Sequence, residues 1–144
     1  MRRDRVAALF LSCALLAGAA GCSRSAGPSP IRLGTACSFC GMEVHDLRFA
    51  CERLRGGASR VYDSIECLLQ DRPSGRDRVY LPDYDSRALF TAESLWVVRG
   101  RFPTPMGGGF AAFASRAAAE DVASRTAGRV ARWSETPDLL RSAP

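Results

Sequence analysis

The stretch LRFACERLRGGASRVYDSIECLL, Leu47 to Leu69, decides how the chain is organised. Leu47–Leu54 is apolar enough to form a strand, and Arg55-Gly56-Gly57 reads as the turn that closes it. Ser59–Tyr62 returns as a second short strand, so the pair makes a hairpin. Asp63 or Ser64 can then cap a helix on which Ile65, Leu68 and Leu69 recur at helical spacing. Asp71-Arg72-Pro73-Ser74-Gly75 stops that helix. Arg78–Leu81 supplies a third strand, ended by Pro82.

The same order recurs further along the chain. Ser94–Val98 reads as a strand, Gly100 to Gly109 as a loop rich in proline and glycine, and Phe110–Phe113 as a short strand. Ser115 caps a helix of good formers, Arg116, Ala117, Ala118, Ala119 and Glu120, and Gly128 is a natural stop for it. Arg129–Trp133 closes the second half. Tyr62 and Phe113 stand at matching positions just before the two helices. The expected fold is therefore α+β: two similar small ββαβ halves, about 35–86 and 87–136, forming one compact unit with helices on one face. Residues 137–144 are left as a tail.

Upstream of this unit the chain changes character. Arg2, Arg3 and Arg5 precede an almost unbroken apolar run, Val6–Ala20, too short to span a bilayer comfortably. Residues 1–21 read as an export signal. It ends Leu16-Ala17-Gly18-Ala19-Ala20-Gly21-Cys22, a lipobox-like pattern in which Cys22 becomes the lipid attachment site. Ala19 stands where leucine is commoner, so cleavage without lipid is the alternative. Residues 22–34, rich in Ser, Gly and Pro, read as a flexible tether. The expected address is the cell envelope, with the anchor in a membrane and the domain facing the periplasm or the exterior. The net charge of +5 falls to +3 once Arg2, Arg3, Arg5 and Asp4 are removed. All basic residues are arginines, scattered without a stripe or interleaved aromatics, which argues against a nucleic-acid partner.

The chemistry concentrates in Cys37-Ser38-Phe39-Cys40-Gly41-Met42-Glu43-Val44-His45. Two thiols, a thioether and the chain's single histidine lie together there, and Gly41 lets the backbone turn sharply. Four readings compete. An exported protein can hold Cys37 and Cys40 as a disulfide. A redox-active Cys-x-x-Cys would make the chain a thiol–disulfide oxidoreductase, although that motif usually opens a helix. Structural zinc wants four ligands, and Cys51 and Cys67 are isolated in the sequence. Cu(I) is selected by thiolate and thioether together, with neutral imidazole able to complete the set. Met106, in Pro103-Thr104-Pro105-Met106-Gly107-Gly108-Gly109, tips the balance toward copper, because a methionine in such a surface loop has little packing to gain.

Cys40-Gly41-Met42, Val61-Tyr62-Asp63-Ser64 with Cys67, Pro82-Asp83-Tyr84, Met106-Gly107-Gly108-Gly109-Phe110 and the Ala118–Trp133 ending together resemble the NosL family of copper-binding lipoproteins, accessory to nitrous-oxide reductase. The resemblance spans roughly Cys37 to Glu135. It implies two similar ββαβ halves and a Cu(I) chaperone, not an enzyme, that passes its ion to a cuproenzyme or its assembly machinery. The family's ligands fall on Cys40, Met42 and Met106, with Cys37 and His45 as further donors. The other features read as structure. Cys67 is expected as a buried free thiol, with a Cys51–Cys67 disulfide as the second choice. Asp63 and Ser64 are expected to cap the helix, and Trp96 and Trp133 to sit on strands. Asp83 and Asp85 are expected in a turn around Tyr84, with nothing nucleophilic beside them.

Overall fold

In the computed structural model, residues 27–141 are described; the leader, Cys22 and the lipidation expected there lie outside them. β1, Cys51–Arg55, is a middle strand whose first four residues are all buried. Gly56 and Gly57 both take positive φ, 56° and 87°, and close the hairpin to β2, Ala58–Tyr62. β1 starts later than Leu47. Asp46 accepts the Arg48 backbone N–H at 2.9 Å and the Arg48 Nε at 2.9 Å, and this local closure turns residues 47–49 instead of extending them. The Arg48 guanidinium also holds the Asp46 carboxyl below the usual carboxylate range.

α1 spans Ile65–Gln70, and its cap is Ser64, whose Oγ accepts the Cys67 N–H at 3.2 Å. β3, Arg78–Pro82, pairs antiparallel with β1 on the side away from β2. β4, Leu89–Thr91, was not foreseen. It pairs with β3, giving the order β2-β1-β3-β4, so the first half reaches Thr91 and not residue 86.

The second sheet repeats the plan. β5, Trp96–Arg99, lies between β6, Phe110–Phe113, and β7, Arg129–Arg132. In each half the first strand is central, flanked by its hairpin partner and by the strand that follows the helix. α2, Arg116–Arg125, is capped by Ser115 through the Ala118 N–H. β5 begins two residues later than expected, because Ala92–Ser94 form a 3-10 turn. A second such turn, Trp133–Glu135, takes Trp133 off the strand. It leads into α3, Thr136–Arg141, whose Leu139 is buried in the core; residues 137–141 are thus folded and packed.

Both faces of the second sheet are covered, which is why Phe-Ala-Ala-Phe in β6 is buried throughout. Val97, Phe110 and Ala112 face Ile65, Leu68 and Leu81 of the first half. Val98, Ala111 and Phe113 face Ala119 and Ala123 of α2. Each fully buried Phe contributes about 1.5–3 kcal/mol by leaving water. The second sheet is therefore a wall shared by two cores, and the helices do not all lie on one face.

Polar contacts lock the halves together. Asp83 accepts the Ala114 N–H at 2.8 Å and the Ser86 hydroxyl at 2.6 Å, while the Tyr84 N–H donates to Ala112 at 2.8 Å. Burial alone would raise the Asp83 carboxyl, but the bonds from Ser86 and Ala114 outweigh it and hold it low. The N-terminal segment is tied down as well: the Ser29 N–H donates to buried Glu52 at 2.8 Å, and the Gly34 N–H to Val44 at 2.9 Å.

Asp77 makes acid unfolding predictable. Its carboxylate accepts from the Arg55 Nε at 2.5 Å and from the Ser74 N–H at 2.8 Å. The Arg55 bond depresses its pKa well below the ordinary value. A carboxylate depressed in the folded state stabilises it above the unfolded pKa of about 4, and that contribution is lost as pH falls toward the folded value. Asp77→Asn is expected to lower urea stability at neutral pH and to flatten the loss below about pH 4. An acid limb as steep as the parent's would assign the titration to other carboxylates.

Candidate metal centre

The sulfur-bearing segment is a short hairpin. The Cys37 N–H donates to Met42 at 2.7 Å, the Gly41 N–H to Cys37 at 3.0 Å, and the Val44 N–H to Thr35 at 2.9 Å. Ala36 and Glu43 pair as an isolated bridge. Gly41 takes φ +79°, the left-handed angle that lets Cys40 and Met42 flank so tight a turn. The hairpin is fastened to the edge of the first sheet: the Ser38 N–H donates to Val61 at 2.8 Å, and the Arg60 guanidinium donates to the Ser38 carbonyl at 2.7 Å.

This attachment carries Cys37 and Cys40 to the point where β2 ends and α1 begins. Asp63 and Cys67 lie there, one helical turn apart. The sulfurs of Cys37, Cys40 and Cys67 and a carboxylate oxygen of Asp63 all lie within 4.8 Å of one another. The Cys40 Sγ is 3.8 Å from Asp63 Oδ1, whereas the buried Oδ2 has no partner. Cys37 and Cys67 are buried and Cys40 is half-buried. Burial pushes the Cys37 thiol up. It pushes Cys67 far above the usual thiol value, with Asp63 adding to the effect.

Four cysteines fall among the described residues, and all four are free thiols. The structure thus shows neither a Cys37–Cys40 nor a Cys51–Cys67 disulfide. Cys51 is fully buried and not part of this cluster; its Sγ donates to the Ser64 carbonyl at 3.3 Å. Cys37 and Cys40 open no helix; turn and bridge follow them. The geometry expected of a redox Cys-x-x-Cys is missing.

Met42 is exposed beside the cluster, in an open cavity lined by Gly41, Glu43, His45, Asp63 and Pro105. Asp63 faces both the thiols and this cavity. Pro105 brings the second-half loop to the hairpin; Met106, the next residue, is 38% exposed and does not itself line the cavity. Sequence reading placed Cys37, Cys40, Met42, His45 and the Met106 loop in this region. It missed Cys67 and Asp63, although their spacing of four across a helix start was a usable signal.

These features define a small two-sheet α+β domain whose first half carries a thiol-rich cluster able to hold a metal ion, beside an open cavity that Pro105 of the second half also lines. The profile of the NosL family matches residues 28–140, and the chain belongs to that family. The crystal structure of the copper chaperone NosL from Shewanella denitrificans has the same fold, with a TM-score of 0.68 at 17% identity over 76% of this chain and 94% of that one. Among curated proteins no significant match is found.

Proposed function

We propose that this chain is a copper metallochaperone without catalytic activity, which holds one Cu(I) and passes it to a partner in cuproenzyme maturation. By family, that recipient is nitrous-oxide reductase or its assembly machinery. The proposed ligands are Cys40, Met42 and Met106, with Cys37 and His45 as further donors. The address is the cell envelope, with a lipid on Cys22 as the anchor in the membrane and the domain facing the periplasm or the exterior. The observation that carries the reading is the convergence of three thiols on one point beside an exposed methionine. Thiolate and thioether donors together favour a soft monovalent ion. Exposure at Met42 and Met106, with Cys40 half-buried and Cys37 and Cys67 buried, supports stepwise displacement of donors by a recipient's sulfur.

A second reading is favoured by Asp63 and Cys67, which bring the inner cluster to three sulfurs and one oxygen, a set a structural zinc ion accepts. Anaerobic titration of the reduced protein against a Cu(I) chelator, with and without Zn(II), separates the two. The copper reading expects about one Cu(I) per chain, and about tenfold weaker binding in Met106→Leu with the fold intact, a loss within the usual range for a metal-site change. Binding of Zn(II) alone, indifferent to Met106, would establish the structural site instead.

A further inference from the structure

The methionine loop belongs to the second half of the chain, yet it rests on the helix of the first. Thr104 is the point of contact. Its hydroxyl donates to Glu66 Oε1 at 2.9 Å and accepts the Gly109 N–H at 3.1 Å. The Thr104 carbonyl accepts the Gly107 N–H at 3.0 Å, so both ends of the Thr104–Gly109 segment are drawn together. Glu66 is 3% exposed, an unusual place for a carboxylate, and its Oε2 has no hydrogen-bond partner among the described residues. The fit is tight: a Cβ on Gly108 would lie 2.4 Å from the Glu66 Cγ. On the loop's other side the Arg99 Nε donates to the Gly108 carbonyl.

A carboxylate so buried costs stability unless it is well partnered. Glu66 stands in the first turn of the short helix α1, between Ile65 and Cys67, where the helix dipole favours a carboxylate but does not call for its burial. Among the described residues, the one hydrogen bond of its carboxylate reaches across the junction between the halves, from the residue beside Cys67 to the loop that carries Met106.

We propose that Glu66 is a positioning residue: by clasping the Thr104 hydroxyl it sets the Met106 loop against the Cys40-Gly41-Met42 turn and so governs the thioether's contribution to the metal. The inference rests on the copper reading above. Glu66 does not bind the ion; it acts through Thr104. Without the clasp, the Pro105-Met106-Gly107 tip is free to swing away, and the sulfur has to be ordered at the moment of binding.

The test uses the full chain labelled with 13C at the methionine methyls, which reports Met42 and Met106 separately, alongside anaerobic competition for Cu(I). Glu66→Ala and Thr104→Val each remove one side of the clasp. Both are expected to erase the copper-induced shift of the Met106 methyl while keeping that of Met42, and to weaken Cu(I) binding about tenfold, equivalent to about 1.4 kcal/mol. The double variant is expected to be no weaker than the worse single one, the mark of a shared interaction. Glu66→Gln keeps an acceptor and Thr104→Ser keeps the hydroxyl, and each is expected to restore both readouts. Thr104→Val sits in a loop and keeps the test open if Glu66→Ala fails to fold. An unaltered Met106 shift with affinity within about twofold in Thr104→Val would overturn the assignment. A parent chain with no copper-induced change at either methyl would instead refute the copper reading itself, a separate and recognisable result.

Discussion

Replacing Cys40 with serine is expected to weaken Cu(I) binding by more than about a hundredfold, because an anionic thiolate donor contributes more than a neutral thioether and its loss should exceed the 10–100-fold cost of losing an outer partner. Cys40 is the thiol common to both parts of the centre. Its Sγ lies in the inner cluster with Cys37 and Cys67, and it precedes the turn that carries Met42. A hydroxyl is neither soft nor readily deprotonated, so serine removes the anionic sulfur that a monovalent copper ion favours. The fold should survive the change, since Cys40 is only partly buried and serine is the smaller residue. Chelator competition, with thermal unfolding as the control, measures the effect. Retention of affinity within tenfold of the parent would remove Cys40 from the ligand set.

The second large effect is structural. Gly109→Ala is expected to destabilise the domain by about 3–5 kcal/mol, the far tail for a single substitution and a large fraction of a typical total of about 5–15. Gly109 has φ +72°, and a Cβ there would lie 1.9 Å from the Gly100 carbonyl oxygen. That carbonyl belongs to backbone hemmed in by other close approaches. A Cβ on Gly128 would meet the Arg99 carbonyl oxygen at 2.8 Å, and one on Gly100 would meet Thr126 Oγ1 at 2.3 Å. The three glycines let the ends of β5, β6 and β7 come together, and none of the neighbours can yield cheaply. Gly107 supplies the control. It has the same φ of +72° but open space around it, so Gly107→Ala should cost only about 1–2 kcal/mol of backbone strain. Urea unfolding of the two variants makes the comparison. Equal losses would show that the contact at Gly109 is relieved by small shifts.

Much of this architecture could be read from periodicity and turn residues. β6, Phe110–Phe113, was bounded correctly because the glycine run and Ser115 bracket it sharply. Ser115 and Ser64 cap their helices for the local reason their side chains offer. The misreadings arise where tertiary contacts prevail. The tight turn around Asp46 and Arg48 occupies residues 47–49, and β1 begins four residues later than expected. β4 is only three residues long and is held by pairing with β3, which leaves no periodic trace. At the site, the Cys-Gly-Met cluster was visible because its donors are adjacent in sequence. Cys67 and Asp63 were not recognised as members, because the hairpin is brought to them by tertiary hydrogen bonds, Ser38 to Val61 and Arg60 to Ser38, that leave no mark in the sequence. Nothing in the sequence marks Glu66, since its partner lies thirty-eight positions away.

The bond from Ser38 to Val61 has another consequence. β2 ends the order of its sheet, and an uncovered outer strand offers its backbone groups to any second chain. The sulfur-bearing hairpin occupies part of that border, with Arg60 clamping it from the side. The segment that gathers the thiols therefore also shields the domain from strand-by-strand self-association. Damage that frees the hairpin would expose a sticky rim and reactive thiols at the same time, so a damaged copy would tend to clump.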